Sequence, residues 1–177
     1  LRLCVLGRDS DGKLRLMGRI LYATESAVRE SNTTQYGANE MWSNDDTAPT
    51  AYVFGELANM SGTILDAVIV SSNDPATLLQ GELWLFDGSV TLVNDNAAFA
   101  LSDADALKLV AHIPFTLASS VAGTGTNSVA IVIGIDTSFD CVNNSNGLYM
   151  LVKVKNAYTP ASAETLNVRL KVRREAG

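Results

Sequence analysis

His112 is the only histidine in the chain, and it is the first residue to test for catalytic chemistry. An imidazole acts as a general base when an acid orients it and a nucleophile lies within reach. Its neighbours Ala111 and Ile113 place it in an extended run, and the sequence contains no nucleophile, phosphate-loop or metalloprotease motif. The sequence therefore predicts a structural or surface histidine in a protein that is not an enzyme.

Two groups of aspartates offer the oxygen ligands that Ca²⁺ prefers. They are Asp45 and Asp46 in a polar segment, and Asp95, Asp103 and Asp105 further along the chain. Their spacing does not follow the EF-hand pattern. The second group fits turn and helix-capping roles, with Ser102 and Asp105 forming a variant of the capping box. We therefore predict no metal and no cofactor.

Composition restricts the classes of partner. The chain of 177 residues is long enough for one domain with a full core, and its net charge of −6 argues against general nucleic-acid binding. No apolar run is long enough for a membrane helix, and we recognise no secretory signal. Cys4 and Cys141 are predicted to be free buried thiols. Charged residues make up only 18%, which indicates a surface partly covered by a partner.

The elements that position these side chains centre on residues 81–115. Residues 82–86 read as a strand buried on both faces, followed by a turn. Ser102 caps a predicted short helix over residues 104–110, and residues 111–115 return to an extended run. The pattern is strand, ordered loop, short helix and strand.

The N-terminal part differs in composition from the rest. Residues 1–6 and 14–22 read as a β-hairpin around an Asp-Gly turn, but residues 23–50 are polar and lack periodicity. We therefore expect an N-terminal hairpin and extended arm over residues 1–50, and a β-sandwich domain over residues 51–177. Three large side chains in this segment, Tyr36, Met41 and Trp42, are predicted to anchor a partner. A lid over the core is the open alternative for Trp42.

The body reads as a series of strands. Residues 63–71 suit a core strand, and residues 129–135 have the composition of a strand buried on both faces. Residues 166–173 alternate strictly, so that Arg169, Lys171 and Arg173 share one face. That basic face either lies in solvent or meets an acidic partner.

About eight or nine strands and one short helix, without alternating strands and helices, predict an all-β fold. We expect an antiparallel β-sandwich, with a jelly roll favoured over an immunoglobulin-like sandwich.

Three stretches of the sequence resemble small virion proteins of tailed bacteriophages. In those proteins a leucine-x-leucine-phenylalanine strand precedes a DNAAF-x-LSDAD block and an I-x-F strand. Residues 83–86 (LWLF), 95–105 (DNAAFALSDAD) and 113–115 (IPF) show this pattern. Together the matching stretches and the sequence around them cover about a third of the chain.

The resemblance implies a decoration, or cement, protein on the exterior of the virion capsid. Its expected partners are the major capsid protein and further copies of itself, as a dimer or trimer, and it carries over no catalytic residue. A carbohydrate-binding jelly roll of a phage tail or adhesin is the alternative, and it would need an exposed aromatic platform. A hydrolase on a β scaffold is a third possibility, for which the sequence offers no constellation of residues.

Overall fold

The computed structural model describes residues 6–8, 14–16, 19–119 and 126–175. Its strands are β1 (Leu6–Arg8), β2 (Leu14–Leu16), β3 (Ile20–Val28), β4 (Glu40–Trp42), β5 (Tyr52–Phe54), β6 (Ser61–Ser71), β7 (Gln80–Phe86), β8 (Leu109–Thr116), β9 (Ala118–Ser119), β10 (Ser128–Asp140), β11 (Leu148–Val154) and β12 (Thr165–Arg174). Helix α1 spans Asp103–Ala106, and Gly55–Leu57 form a 3-10 turn. Within these ranges no helix has the length and apolar character needed to cross a bilayer.

Two antiparallel sheets form a sandwich. The first sheet has the strand order β3-β12-β6-β10-β9, and the second has the order β4-β11-β7-β8, with β5 also paired to β11. The pairs are nested along the chain: β3 pairs with β12, β4 and β5 with β11, β6 with β10, and β7 with β8. The all-β sandwich predicted from the sequence is therefore confirmed.

The main core lies between the two sheets. The longer strands of both sheets contribute alternate side chains to it, because successive residues of a strand point to opposite faces. In β12, for example, Leu166, Val168, Leu170 and Val172 are fully buried. Residues 87–102 cover the outer face of the second sheet, where Met41, Phe86 and Leu151 form a smaller buried cluster.

Local predictions for the hairpin and the helix are mostly confirmed. The predicted hairpin is confirmed in part: β1 pairs with β2, but Arg8 lies in the strand instead of the turn and residues 20–22 belong to β3. The Ser102 side chain accepts a hydrogen bond from the Asp105 backbone N–H at 3.1 Å. Helix α1 is shorter than predicted, because the chain enters β8 at Leu109. Cys4 lies outside the described residues, whereas Cys141 is a buried free thiol.

The extended arm predicted within residues 1–50 is wrong for the part that the structure describes. Residues 20–28 form β3, which pairs with β12 along its length, and β4 adds to the second sheet. The inward side of β3 carries the small residues Ala23 and Ala27, both fully buried. Alanine gives a weak hydrophobic signal, so the alternation was not recognised in the sequence.

Gly147 is required by the turn between β10 and β11. Its φ is +94°, and a Cβ atom there would lie 2.2 Å from the backbone oxygen of Phe54. We expect Gly147→Ala to lower the free energy of unfolding by about 2–3 kcal/mol, measured by denaturant titration. Gly55→Ala is the matched control, because its Cβ would meet open space. Equal effects of the two substitutions would contradict this account.

Candidate interaction surface

The outer face of the first sheet, which we call the bare face, is built from rows of directly opposed residues on β3, β12, β6 and β10. Opposed residues on neighbouring strands point to the same side of a sheet. One row is Thr24, Arg169, Val68 and Ile131, and the next is Tyr22, Lys171, Asp66 and Ile133. Basic side chains therefore run along the β12 part of the bare face, beside apolar side chains on β6 and β10.

Strand β10 leaves large apolar side chains in solvent. Ile131 is 67% exposed and Ile133 is 76% exposed, and on β3 Tyr22 is 57% exposed. The sequence of this segment predicted burial on both faces, which is wrong for the folded single chain. The physical reason is that the sandwich covers only the inner side of the first sheet. Exposed apolar side chains grouped on one face mark a protein contact site more often than isolated ones do.

The basic row, which consists of Arg169, Lys171 and Arg173 along β12, lies on one face of the sheet, as the alternation in the sequence predicted. Arg169 and Arg173 are exposed, and Lys171 donates to the Asp66 carboxylate at 3.0 Å. This hydrogen bond raises the pKa of Lys171 and, with the Gly134 backbone N–H, lowers the pKa of Asp66. The Arg169 guanidinium lies 5.2 Å from the centre of the Tyr22 ring. Their position on the bare face is compatible with the predicted contact of Arg169, Lys171 and Arg173 with a partner, which stays a prediction.

The three anchors predicted in the polar segment are not at the surface. Tyr36 and Trp42 are fully buried and Met41 is 2% exposed, so the prediction that they present an exposed anchor is corrected. Trp42 stacks on Tyr36 with ring centres 5.7 Å apart, and its other ring neighbour is Tyr158 at 6.5 Å. The indole N–H donates to the Ala27 carbonyl at 3.2 Å. Tyr36 and Trp42 are part of the main core, which fits the alternative for Trp42, and Met41 belongs to the smaller cluster on the outer face of the second sheet.

A buried ion pair holds the same segment, and the sequence analysis missed it. Arg29 and Asp95 form an ion pair at 2.8 Å with both side chains essentially inaccessible. The other Asp95 oxygen accepts from the Tyr36 hydroxyl at 2.5 Å and from the Ser43 backbone N–H at 2.9 Å. An isolated arginine in a polar segment gives no sequence signal of such a pair. These hydrogen bonds and the ion pair are sufficient to explain why Asp95 is buried, so we assign it a structural role.

A second buried polar group, Glu164, ties the last connection to the end of β6. Its carboxylate accepts from the Tyr158 hydroxyl at 2.7 Å, from the Ser71 hydroxyl at 2.5 Å and from the Asn73 amide at 3.1 Å. Several good donors make a buried carboxylate tolerable. Tyr36 and Tyr158 also pair through their backbones, so Trp42 sits between the two networks.

Three buried tyrosines lead us to expect that the protein unfolds at alkaline pH. Burial raises the pKa of Tyr36, Tyr52 and Tyr158 well above the ordinary value, and nearby Asp95 or Glu164 raises it further. The unfolded chain therefore loses these protons first, and stability present below about pH 10 is lost as pH rises above it. We expect tyrosinate absorbance from these three to appear together with loss of the β-sheet circular dichroism. Their ionisation in a chain that remains folded would contradict the prediction.

His112 lies on the outer face of the second sheet, in a cluster with Glu82 and Trp84. Its Nε2 is 3.4 Å from a Glu82 oxygen, and its ring centre is 4.4 Å from that of Trp84. Burial acts to raise the pKa of Glu82, but hydrogen bonds from Lys155 and Trp84 and the charges of Lys153 and Lys155 lower it overall. A carboxylate held as an anion by two lysines is poorly matched to proton transfer near neutral pH.

The acidic groups serve turns and caps. Glu30, Asp45 and Asp46 bring carboxylate oxygens within 4.8 Å of one another. The Asp45 carboxylate accepts from the Thr47 and Ala48 backbone N–H groups, which lowers its pKa. Glu30 accepts from the Asp46 backbone N–H at 2.7 Å. These contacts give the trio a role in shaping the loop.

Comparison with known proteins adds no relative. No model of a known protein family matches the chain, and no curated protein is significantly similar to it.

Proposed function

We propose that the chain is a structural virion protein that binds the outside of a bacteriophage capsid and cements neighbouring subunits of the major capsid protein. The resemblance of residues 83–86, 95–105 and 113–115 to small phage virion proteins supports this proposal. So does the nested strand pairing, which fits the jelly-roll interpretation, an architecture common in viral capsid domains. In this proposal the chain works as an oligomer on the capsid exterior.

The observation that carries the proposal is the asymmetry of the two sheets. Residues 87–102 of the same chain cover part of the outer face of the second sheet, over Met41, Phe86 and Leu151, whereas His112 on β8 is 40% exposed. Among the described residues nothing comparable covers Ile131 and Ile133 on the bare face, although β10 has the composition of a strand buried on both sides. The composition of β10 is typical of a buried strand, but its outer side is exposed in the single chain. Both observations are explained if a neighbouring protein covers that face.

Carbohydrate binding is the second candidate, and the half-buried Trp84 is the observation that favours it. Its ring, however, already contacts Phe99 at 5.2 Å and His112 at 4.4 Å between centres. Trp42 is fully buried. Sugar stacking needs an accessible aromatic ring, which neither tryptophan offers. The bare face therefore supports a protein partner better than the tryptophans support carbohydrate binding.

The test is co-sedimentation with empty shells assembled from the major capsid protein of the same virus. We expect binding that saturates at a fixed ratio and raises the temperature at which the shells rupture, because a ligand that binds only the assembled state stabilises it. Absence of saturable binding would overturn the proposal, and saturable binding to a glycan would favour the second candidate.

A variant of the bare face sharpens this test. Ile131→Ser combined with Ile133→Ser removes apolar contact area at exposed positions, so the fold should be retained while shell binding weakens by about tenfold or more. Asp46→Ser is the control, since Asp46 is exposed on a loop outside the bare face. Equal shell binding by the two variants would count against a role of the bare face in the assembly.

A further inference from the structure

One end of the sandwich, which we call the acidic pole, has the opposite charge to the bare face. It is a shallow cavity of about 440 Å³ to which Asp87, Asp140 and Glu175 contribute carboxylates. Exposed apolar side chains lie beside them: Leu109, which also lines the cavity, is 37% exposed, and Val142 is 51% exposed. The pole therefore combines negative charge with apolar surface.

The carboxylates of the acidic pole have no cationic partner in the part of the chain that the structure describes. Glu175 accepts only a 3.3 Å hydrogen bond from the Ser61 hydroxyl, and Asp140 accepts from the Val142 backbone N–H at 3.0 Å. Their negative field is felt nearby: burial, and then the charges of Asp87 and Asp140, raise the pKa of the Cys141 thiol to about 11. The acidic pole therefore carries three carboxylates outside any ion pair of the described residues, with the exposed Arg174 next to Glu175 in the chain.

The bare face has the complementary excess. Lys171 and Asp66 neutralise each other at 3.0 Å, which leaves Arg169 and Arg173 without a carboxylate partner among the described residues. Ile131 and Ile133 lie on the same face. A chain with a net charge of −6 thus has unpaired positive charge and apolar surface on the bare face, and unpaired negative charge and apolar surface at the acidic pole. The two surfaces adjoin at the end of β12, where Arg173 and Arg174 precede Glu175.

We propose that the bare face of one copy binds the acidic pole of a second copy of this chain. This rests on the proposed function: the neighbouring protein that covers the bare face on the shell is then another copy of this chain, and loss of the contact weakens shell binding because the copies no longer bind as a linked array. Charge complementarity with an apolar centre is the arrangement of specific protein interfaces. Two bare faces packed against each other would instead bring their basic rows together, which opposes a two-fold contact.

The contact joins two different surfaces, so it is head-to-tail. Each copy has one bare face and one acidic pole, so it has two neighbours in a ring or array, or one neighbour when a pair of copies makes the contact twice. Contacts of this type close into rings when the rotation allows, and otherwise form open arrays. Either product links several copies across the shell.

The test is charge reversal, read out by sedimentation velocity of the full chain without shells. The face variant carries Arg169→Glu and Arg173→Glu, and the pole variant carries Asp87→Lys and Asp140→Lys. We expect the wild type to self-associate and to dissociate at high salt, and each variant alone to self-associate at least about 100-fold more weakly, because like charges then face each other.

Mixing the two variants separates a lost contact from a lost fold. In the mixture an acidic face meets a basic pole, and a basic face meets an acidic pole, so association should return to near the wild-type level. A single chain carrying all four substitutions should also self-associate. A monomeric wild type at millimolar concentration, unchanged association of either variant, or failure of the mixture to associate would each overturn the inference.

The two proposals fail in different experiments. Self-association without shell binding would sustain this inference and refute the capsid function. Shell binding by a chain that stays monomeric in solution and is insensitive to the charge reversals would sustain the capsid function and refute the head-to-tail contact.

Discussion

Replacing Asp95 by alanine is expected to lower the free energy of unfolding by about 3–5 kcal/mol. The substitution leaves the Arg29 guanidinium, 2% exposed, buried without its counter-ion. It also removes the acceptor for the Tyr36 hydroxyl and for the Ser43 backbone N–H. Since a domain of this kind is stable by only about 5–15 kcal/mol, the loss is a large fraction of the total. Denaturant titration at constant slope measures it.

Two further variants identify the cause of that loss. Asp46→Ala makes the same chemical change at an exposed position in the polar segment that the ion pair holds, and should alter stability by less than about 0.5 kcal/mol. Asp95→Asn retains an oxygen acceptor but removes the charge, so its cost should fall between the other two. If Asp95→Ala and Asp46→Ala were equally mild, the ion pair would not hold this segment in solution.

Trp42→Ala is the second substitution with a large expected effect. Removing a fully buried indole costs about 3–5 kcal/mol through lost transfer free energy and the cavity left behind. The loss includes the stacking on Tyr36 and the hydrogen bond to the Ala27 carbonyl. Because Trp42 sits between the Arg29 and Glu164 networks, hydrogen exchange should also show faster exchange of the backbone over residues 29–50.

Trp84→Ala is the matched control, since Trp84 is half-buried on the outer face of the second sheet. We expect it to cost less than half as much as Trp42→Ala and to leave exchange over residues 29–50 unchanged. The chain has only these two tryptophans, so fluorescence of each variant reports the other one. A mild Trp42→Ala with rapid exchange of this segment already in the wild type would restore the extended-arm interpretation.

The strands of the fold could be predicted from the sequence where large apolar side chains alternate with polar ones. Strand β12 shows this best, since its apolar residues entered the core and its basic residues stayed outside. Strand β3 was missed because its inward side depends on Ala23 and Ala27, which fill the narrow space beside β12 without a strong hydrophobic signal. Large residues such as Trp42 were visible, but their direction depends on contacts far along the chain, here Tyr158.

About half of the candidate interaction surface could be predicted from the sequence. Alternation placed Arg169, Lys171 and Arg173 on one face, but composition placed Ile131 and Ile133 in a core. Composition reports how much surface a strand is suited to bury, and not whether its own chain or a neighbour buries it. The Arg29–Asp95 pair joins residues far apart in the sequence, and nothing local marks either member as buried.

The nested pairing of strands also governs when the protein becomes able to fold. Strand β3 pairs with β12, which follows it at a long distance along the chain, so the first sheet stays incomplete until β12 has been synthesised. Contacts this distant in sequence close slowly. Until then the strands of the first sheet have unpaired edges, so we expect the yield of soluble protein to depend on how quickly β12 is synthesised.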